Sequence, residues 1–237
     1  MANRRSSALI LGALLCLGFV ALGFLLGQSA VKVKEYERVV RVKGLAEREL
    51  PANVVIWPIQ YSSASNSLED LYRKLEANAE VVQKFLIEKG VAAEEMSISA
   101  PAVTDKSAQQ YGNQSSPFRF VGWQTVTVYS ERVKRVRSIM GNVGELGKQG
   151  VVLKGDNYDG RPEYIFNQLN EIKPAMVEES TKNARQVAEK FAADSNSRLG
   201  KIKRASQGQF SIQDRDRNNP HIKNVRVVST VEYYLSD

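Results

Sequence analysis

The chain has 237 residues, 43% of them hydrophobic, and a formal net charge of +7 at pH 7. That is room for one large or two small domains with a real core. The mild basic excess is scattered, without the charged groove and stacking aromatics that nucleic-acid binding needs. The only cysteine, Cys16, and the only histidine, His221, leave no intramolecular disulfide, no thiol redox cycle in the soluble part and no multi-histidine zinc centre.

Residues 1–7 are polar and basic and are expected to stay on the cytoplasmic side, held there by Arg4 and Arg5. Residues 8–27 are apolar without a charge, which at about 1.5 Å per residue is enough to cross a bilayer core. A cleaved signal peptide is the alternative; its apolar region is usually shorter, and a cut after Ala30 puts Gln28 at a poor position, while a cut after Ser29, with Gly27, is passable. The expectation is an inner-membrane, single-pass protein with its C-terminal domain in the periplasm, or a soluble periplasmic protein if the segment is removed. Residues 28–38 form a charged linker, and residues 39–237 the domain.

A first strand is expected over 39–43 with a bend at Gly44, and a second over 53–63 with Val55, Trp57, Ile59 and Tyr61 on one face. Pro58 has no N–H for a ladder, so this strand reads as an edge or as bulged there. Ser67 then caps a helix, with Asp70 three residues on, and Leu68, Leu71, Leu75, Ala79, Val82 and Leu86 form its buried stripe before Gly90 ends it. A third strand is expected over 94–103, an exposed and mobile polar loop over 104–117, and a fourth strand over 118–130 with Val126 and Val128 inward. Residues 131–146 alternate Arg132, Lys134, Arg135 and Arg137 with Val133, Val136 and Ile139, the pattern of an amphipathic helix with a solvated basic side. A short fifth strand at 151–153 leads to a turn at 155–160, where Asp156 and Asp159 read as turn-formers.

The longest helical pattern covers 163–199, between Pro162 and Gly200, with a kink or break near Lys173 because Pro174 follows. Ile165, Leu169, Ile172, Met176, Val187 and Phe191 make the stripe expected to meet the sheet. Beside it runs a row of small residues, Ser180, Ala184, Ala188 and Ala192, along which a helix can lie close to a sheet. Strands are expected over 202–212 and 225–235, the last with Val225, Val227, Val231, Tyr233 and Leu235 on one face. The order, two strand-pair-then-helix units, a strand and long helix, and a final strand pair, reads as an α+β fold with mostly antiparallel sheet and helices on one face.

The loop at 213–221 carries Asp214, Asp216 and Asn218 at alternate positions, as a calcium loop begins. Glycine at the sixth position and glutamate at the twelfth are missing, since Asn219 and Val225 stand there, so these are weak metal candidates and a solvated hairpin loop is the plainer reading. No phosphate-cradling glycine loop, zinc helix motif or nucleophile elbow is present, and no catalytic residue or cofactor is assigned.

Several segments resemble the SIMPL-domain family of YggE-like periplasmic and envelope proteins. These are the run from Ala184 to Ala192, Leu199-Gly-Lys-Ile, Gln207-Gly-Gln-Phe, and residues 225–234 ending in Val-Glu-Tyr-Tyr. The N-terminal half agrees, with Val-Lys-Gly-Leu-Ala-Glu from Val42 and Ile-Ser-Ala-Pro from Ile98. The resemblance covers about 39–235 and rests on packing and turn residues. It implies a SIMPL-like fold, export or membrane anchoring, a tendency to form oligomers, in some cases ring-like, and a link to oxidative-stress defence. It supplies no catalytic residues.

The function expected on these grounds is that of a non-enzymatic, membrane-anchored envelope protein acting by self-assembly or partner binding, with any part in oxidative-stress defence indirect. The contact elements would be the first strand, the Pro58 strand and the loop at 104–117. The alternative is a periplasmic enzyme or a small-ligand carrier.

Overall fold

The computed structural model describes residues 2–35, 38–108, 117–154 and 160–236. The fold is α+β with two sheets, where the sequence suggested one. The chain divides into two compact units: the first contains residues 1–48, 172–211 and 226–237, and the second residues 49–171 and 212–225.

The second unit is built on a six-stranded sheet with the order β3 (Met96–Ile98), β5 (Phe120–Ser130), β2 (Val54–Ser65), β6 (Val152–Leu153), in which β4 (Ala102–Asp105) also pairs with β5 and β7 (Glu163–Ile165) with β2. Its spine is the long antiparallel pairing of β2 (Val54–Ser65) with β5 (Phe120–Ser130), in continuous register from Val55 opposite Ser130 to Ser65 opposite Phe120. The alternation in β2 works as read: Val55, Trp57, Ile59 and Tyr61 are buried, as are Val126 and Val128 opposite. β2 is nevertheless an interior strand. Its other side pairs with β7 (Glu163–Ile165) at residues 54–56 and with β6 (Val152–Leu153) at residues 61–62. Pro58 falls in the gap between those two short partners, so its missing N–H breaks no ladder.

Helix α2 (Leu68–Glu88) closes the core of this unit with Leu71, Leu75, Ala79, Val82, Phe85 and Leu86. Leu68, expected in the stripe, is exposed, and Phe85 is buried. The Ser67 side chain accepts from the Asp70 N–H as expected of the cap. The Asp70 carboxylate turns away to take the Ser65 hydroxyl, Arg73 and Lys74. Gly90 adopts φ +89° and Val91 N donates to Leu86 O, so the helix ends in a left-handed glycine cap.

The expected third strand is two, β3 (Met96–Ile98) and β4 (Ala102–Asp105), parted around Pro101 and both laid on β5. The expected basic helix is also two, α3 (Val133–Met140) and α4 (Gly144–Lys148), parted at Gly141, and Val133, Val136 and Ile139 are buried as read. Of the polar loop, Lys106–Ala108 form a 3-10 turn, while residues 109–116 lie outside the described residues, as do Asp156 and Asp159.

The first unit centres on a sheet with the order β1 (Val39–Pro51), β10 (Ile222–Ser236), β8 (Arg198–Gln207), beside which β9 (Ser211–Asp214) also pairs with β10. Strand β1 (Val39–Pro51) runs straight through Gly44, where a bend was expected. Against it lies α5 (Leu169–Asp194), shorter than the expected 163–199 because β7 takes residues 163–165 and β8 (Arg198–Gln207) begins four residues after the helix ends. Gly200 is therefore a strand residue, and a Cβ there would lie 3.0 Å from the Tyr234 carbonyl oxygen. The helix carries Pro174 in its second turn without a break.

The packed face of α5 is the row of small residues, continued by Met176: Ser180, Ala184, Ala188 and Ala192 are all buried. Val187 and Phe191, expected to face the sheet, are 38% and 56% exposed. Geometry explains the exchange. A Cβ on Gly44 would stand 1.8 Å from the Ser180 carbonyl oxygen, so strand and helix meet backbone to backbone, a distance only the small row permits. Ser180 gives its hydroxyl hydrogen to Val177 O, so Ser229 of β10 (Ile222–Ser236) must donate to it, over 2.6 Å.

The N-terminal residues form helix α1 (Ala2–Glu35). Among the described residues no helix is long and apolar enough to cross a membrane. The expected span 8–27 begins outside the residues whose side chains are described, which run without interruption from Leu14 to Ser29.

Candidate functional site

Two features are available for function, one in each unit. In the first unit the sheet ends in two strands, β1 and β8, that have a neighbour on one side only among the described residues. Every residue of β8 except Leu199 is exposed. Its register with β10 places Val231 opposite Ala205 and Thr230 opposite Ser206. Gly208 N donates to Val228 O, one step beyond the Ser229–Gln207 pair that ends the ladder of the two strands. By the alternation of antiparallel ladders Ser206 then bonds to β10, while Ala205 and Gln207 turn their backbone N–H and C=O groups to the open side. Lys201, Lys203 and Arg204 punctuate this strand, the charge pattern by which edges avoid indiscriminate pairing.

In the second unit a cleft of about 610 Å³ lies where the end of β1, the start of α3 and the start of β10 come together. Pro51, Ala52, Val133 and Ile222 give it apolar walls, and Arg132, Lys134, Arg135, Arg137 and Glu131 bring four cations against one carboxylate. The burial of Val133, Val136 and Ile139 fixes the rotation of α3 and so presents its basic side. Arg132 is bound to Glu95, and Arg135 donates to the Lys89 carbonyl at 3.2 Å. His221 also lines the cleft, its carbonyl accepting from Ala52 N at 2.8 Å and its ring standing edge-on to Tyr164, with centroids 6.0 Å apart. Burial lowers the His221 pKa, the charges of Arg137 and Arg215 lower it further, and Asp216 opposes them in part. The imidazole is therefore neutral at pH 7. The basic side of the helix is solvated as expected, with Arg132, Lys134, Arg135 and Arg137 all exposed; that the ends of β1 and β10 wall it into a cleft follows from pairings distant in the chain.

The weak metal candidates are placed differently from a ligand set. Asp214 is paired with Lys223, whose side chain is largely buried. Asp216 Oδ1 accepts from the N–H groups of Asn218 and Asn219, both at 2.9 Å, and its Oδ2 from Arg215 Nε at 2.9 Å. Arg215 above all holds its carboxyl below the usual range. Asn218 enters through its backbone, so the three residues build a turn around Asp216. Among the described residues no group of three or more His, Cys, Asp or Glu side chains is placed to hold a metal ion.

No curated protein matches the chain. The family model for SIMPL, described as a protein of unknown function (DUF541), matches residues 40–231. That range takes in most of both sheets and the helices packed on them, and the chain belongs to the SIMPL family.

Proposed function

We propose that this chain is a non-enzymatic envelope protein, anchored in the inner membrane by residues 8–27 with its SIMPL domain in the periplasm, and that it acts by assembling with copies of itself. The observation that carries this reading is the pair of open edges, β1 and β8, on one sheet. Two different edges of one sheet can pair head to tail between copies, a heterologous contact that gives a ring if the rotation closes. β8 replaces the Pro58 strand as a contact element, because β2 is flanked on both sides.

The anchor is supported by the uncharged run at 8–27 and by the outward-facing side chains of α1, where Leu14, Phe19, Val20 and Leu26 are each more than 60% exposed. A helix apolar all round wants hydrocarbon about it. Any share in oxidative-stress defence is indirect, through envelope integrity, since the only thiol sits in that segment.

The test is a cross-link between copies. In a Cys16→Ser background, one preparation carries Lys43→Cys on β1 and a second carries Ala205→Cys on β8. Mixed and oxidised, they are expected to give disulfide-linked dimers containing one of each. Failure to form mixed dimers under conditions where each thiol reacts with a small maleimide would overturn edge-to-edge assembly.

A further inference from the structure

The cleft of the second unit has more charge than its own contacts use. Arg132 and Arg135 are committed to Glu95 and to the Lys89 carbonyl. Lys134 and Arg137 have no carboxylate partner among the described residues, although both line the cleft. Both side chains are exposed, so an incoming ligand can reach their charges, and they border apolar walls formed by Pro51, Val133 and Ile222. A cleft of about 610 Å³ is within the range that holds small organic ligands. We infer that it binds a small amphipathic anion, a carboxylate or phosphate monoester on a short apolar body, with the head between Lys134 and Arg137 and the body against Pro51, Val133 and Ile222.

Charge and wall each narrow the class. An inorganic anion would leave the apolar wall wet, and an apolar cation would meet four positive side chains with only Glu131 to receive it. A polyanion would have to come near Glu131 as well. Both a lysine and an arginine head contact suit a single oxyanion, because hydrogen bonds to charged groups are the stronger kind. This inference stands apart from the assembly reading, since it concerns residues of the second unit and needs no second copy.

The one histidine of the chain makes the test direct, because its ring signals are unique in an NMR spectrum and it lines the cleft. The full chain in phosphatidylcholine nanodiscs is titrated with octanoate and, separately, with octyltrimethylammonium. Octanoate is expected to shift the His221 signals saturably, and the cation to leave them in place. Lys134→Gln combined with Arg137→Gln should weaken octanoate by about tenfold or more, the loss expected for charge-assisted contacts. Arg137 also acts on Tyr164, so Lys134→Glu alone, a change on an exposed side chain, must weaken it too. No saturable shift with octanoate, an equal shift with the cation, or unchanged affinity in Lys134→Glu would each overturn the proposal. A response to phosphatidylglycerol in the discs without one to octanoate would also overturn it, by placing the ligand in the bilayer.

Discussion

The two units hold themselves together by opposite means. The core of the second is large and made of big side chains, with Trp57, Tyr61, Leu71, Leu75, Phe85 and Leu86 between α2 and the β2–β5 pair. In the first, the buried cluster between β1, α5 and β10 is smaller and built around Val42, Ala184, Ala188, Val231 and Tyr233. Where side chains are large, stability comes from apolar area, and each lost methylene is felt. Where they are small, it comes from the closeness of the backbones, so an added atom does the harm. The same kind of contact, a helix on a strand, is thus sensitive to deletion in one unit and to insertion in the other.

Substitutions that exchange the two cases break the comparison. Leu75→Ala in the second unit leaves a cavity and is expected to lower unfolding free energy by about 4 kcal/mol, read from urea denaturation. Gly44→Ala in the first adds one carbon and should cost about 3 kcal/mol, because the Ser180 carbonyl and the Ala184 backbone it meets cannot rotate away. If Gly44→Ala proved neutral, the backbone-to-backbone account of the first unit would be wrong. Ser67→Ala removes the α2 cap and should cost about 1 kcal/mol, affecting the second unit only.

The smallest effect is one of acidity. The Lys74 ammonium above all, with the Ser65 hydroxyl and the Arg73 guanidinium, holds the Asp70 carboxyl well below the usual range. A depressed carboxylate binds fewer protons folded than unfolded, so its contribution is present above the ordinary pKa of about 4 and is lost as pH falls through the folded value. Asp70→Asn should lower stability above pH ~6 and flatten the acid limb of a stability-against-pH curve, the two curves converging as pH falls through the folded value. An identical acid limb in the variant would remove Asp70 from the account.

What could be read in the residues divides along the same line. The second unit was legible because its signals are local: alternation in β2 named Val55, Trp57, Ile59 and Tyr61, and the three-and-four spacing named Leu71, Leu75, Val82 and Leu86. The first unit misled where hydrophobicity alone was followed. Val187 and Phe191 looked like the buried face of α5, and the face that packs is the row from Ser180 to Ala192, whose value lies in what it lacks. Gly44 looked like a bend for the same reason, when its work is to let Ser180 approach. Strand ends were misjudged where only long-range pairing sets them, as in β7, whose three residues join β2 across more than a hundred positions of sequence. The cleft was invisible for that reason too: Lys134 and His221 meet only through the fold.

The most direct test of edge-mediated assembly is the protein mass of the full chain in detergent micelles, by light scattering coupled to size exclusion, with Ala205→Pro measured beside it. Proline at 205 removes a backbone N–H that faces the open side of β8 and leaves the bonds to β10 in place. Open-edge assembly predicts a discrete multiple of the 26.4 kDa chain for the native sequence and a fall toward a single chain for the variant. A monomer in both, or a multimer that Ala205→Pro leaves unchanged, would contradict it.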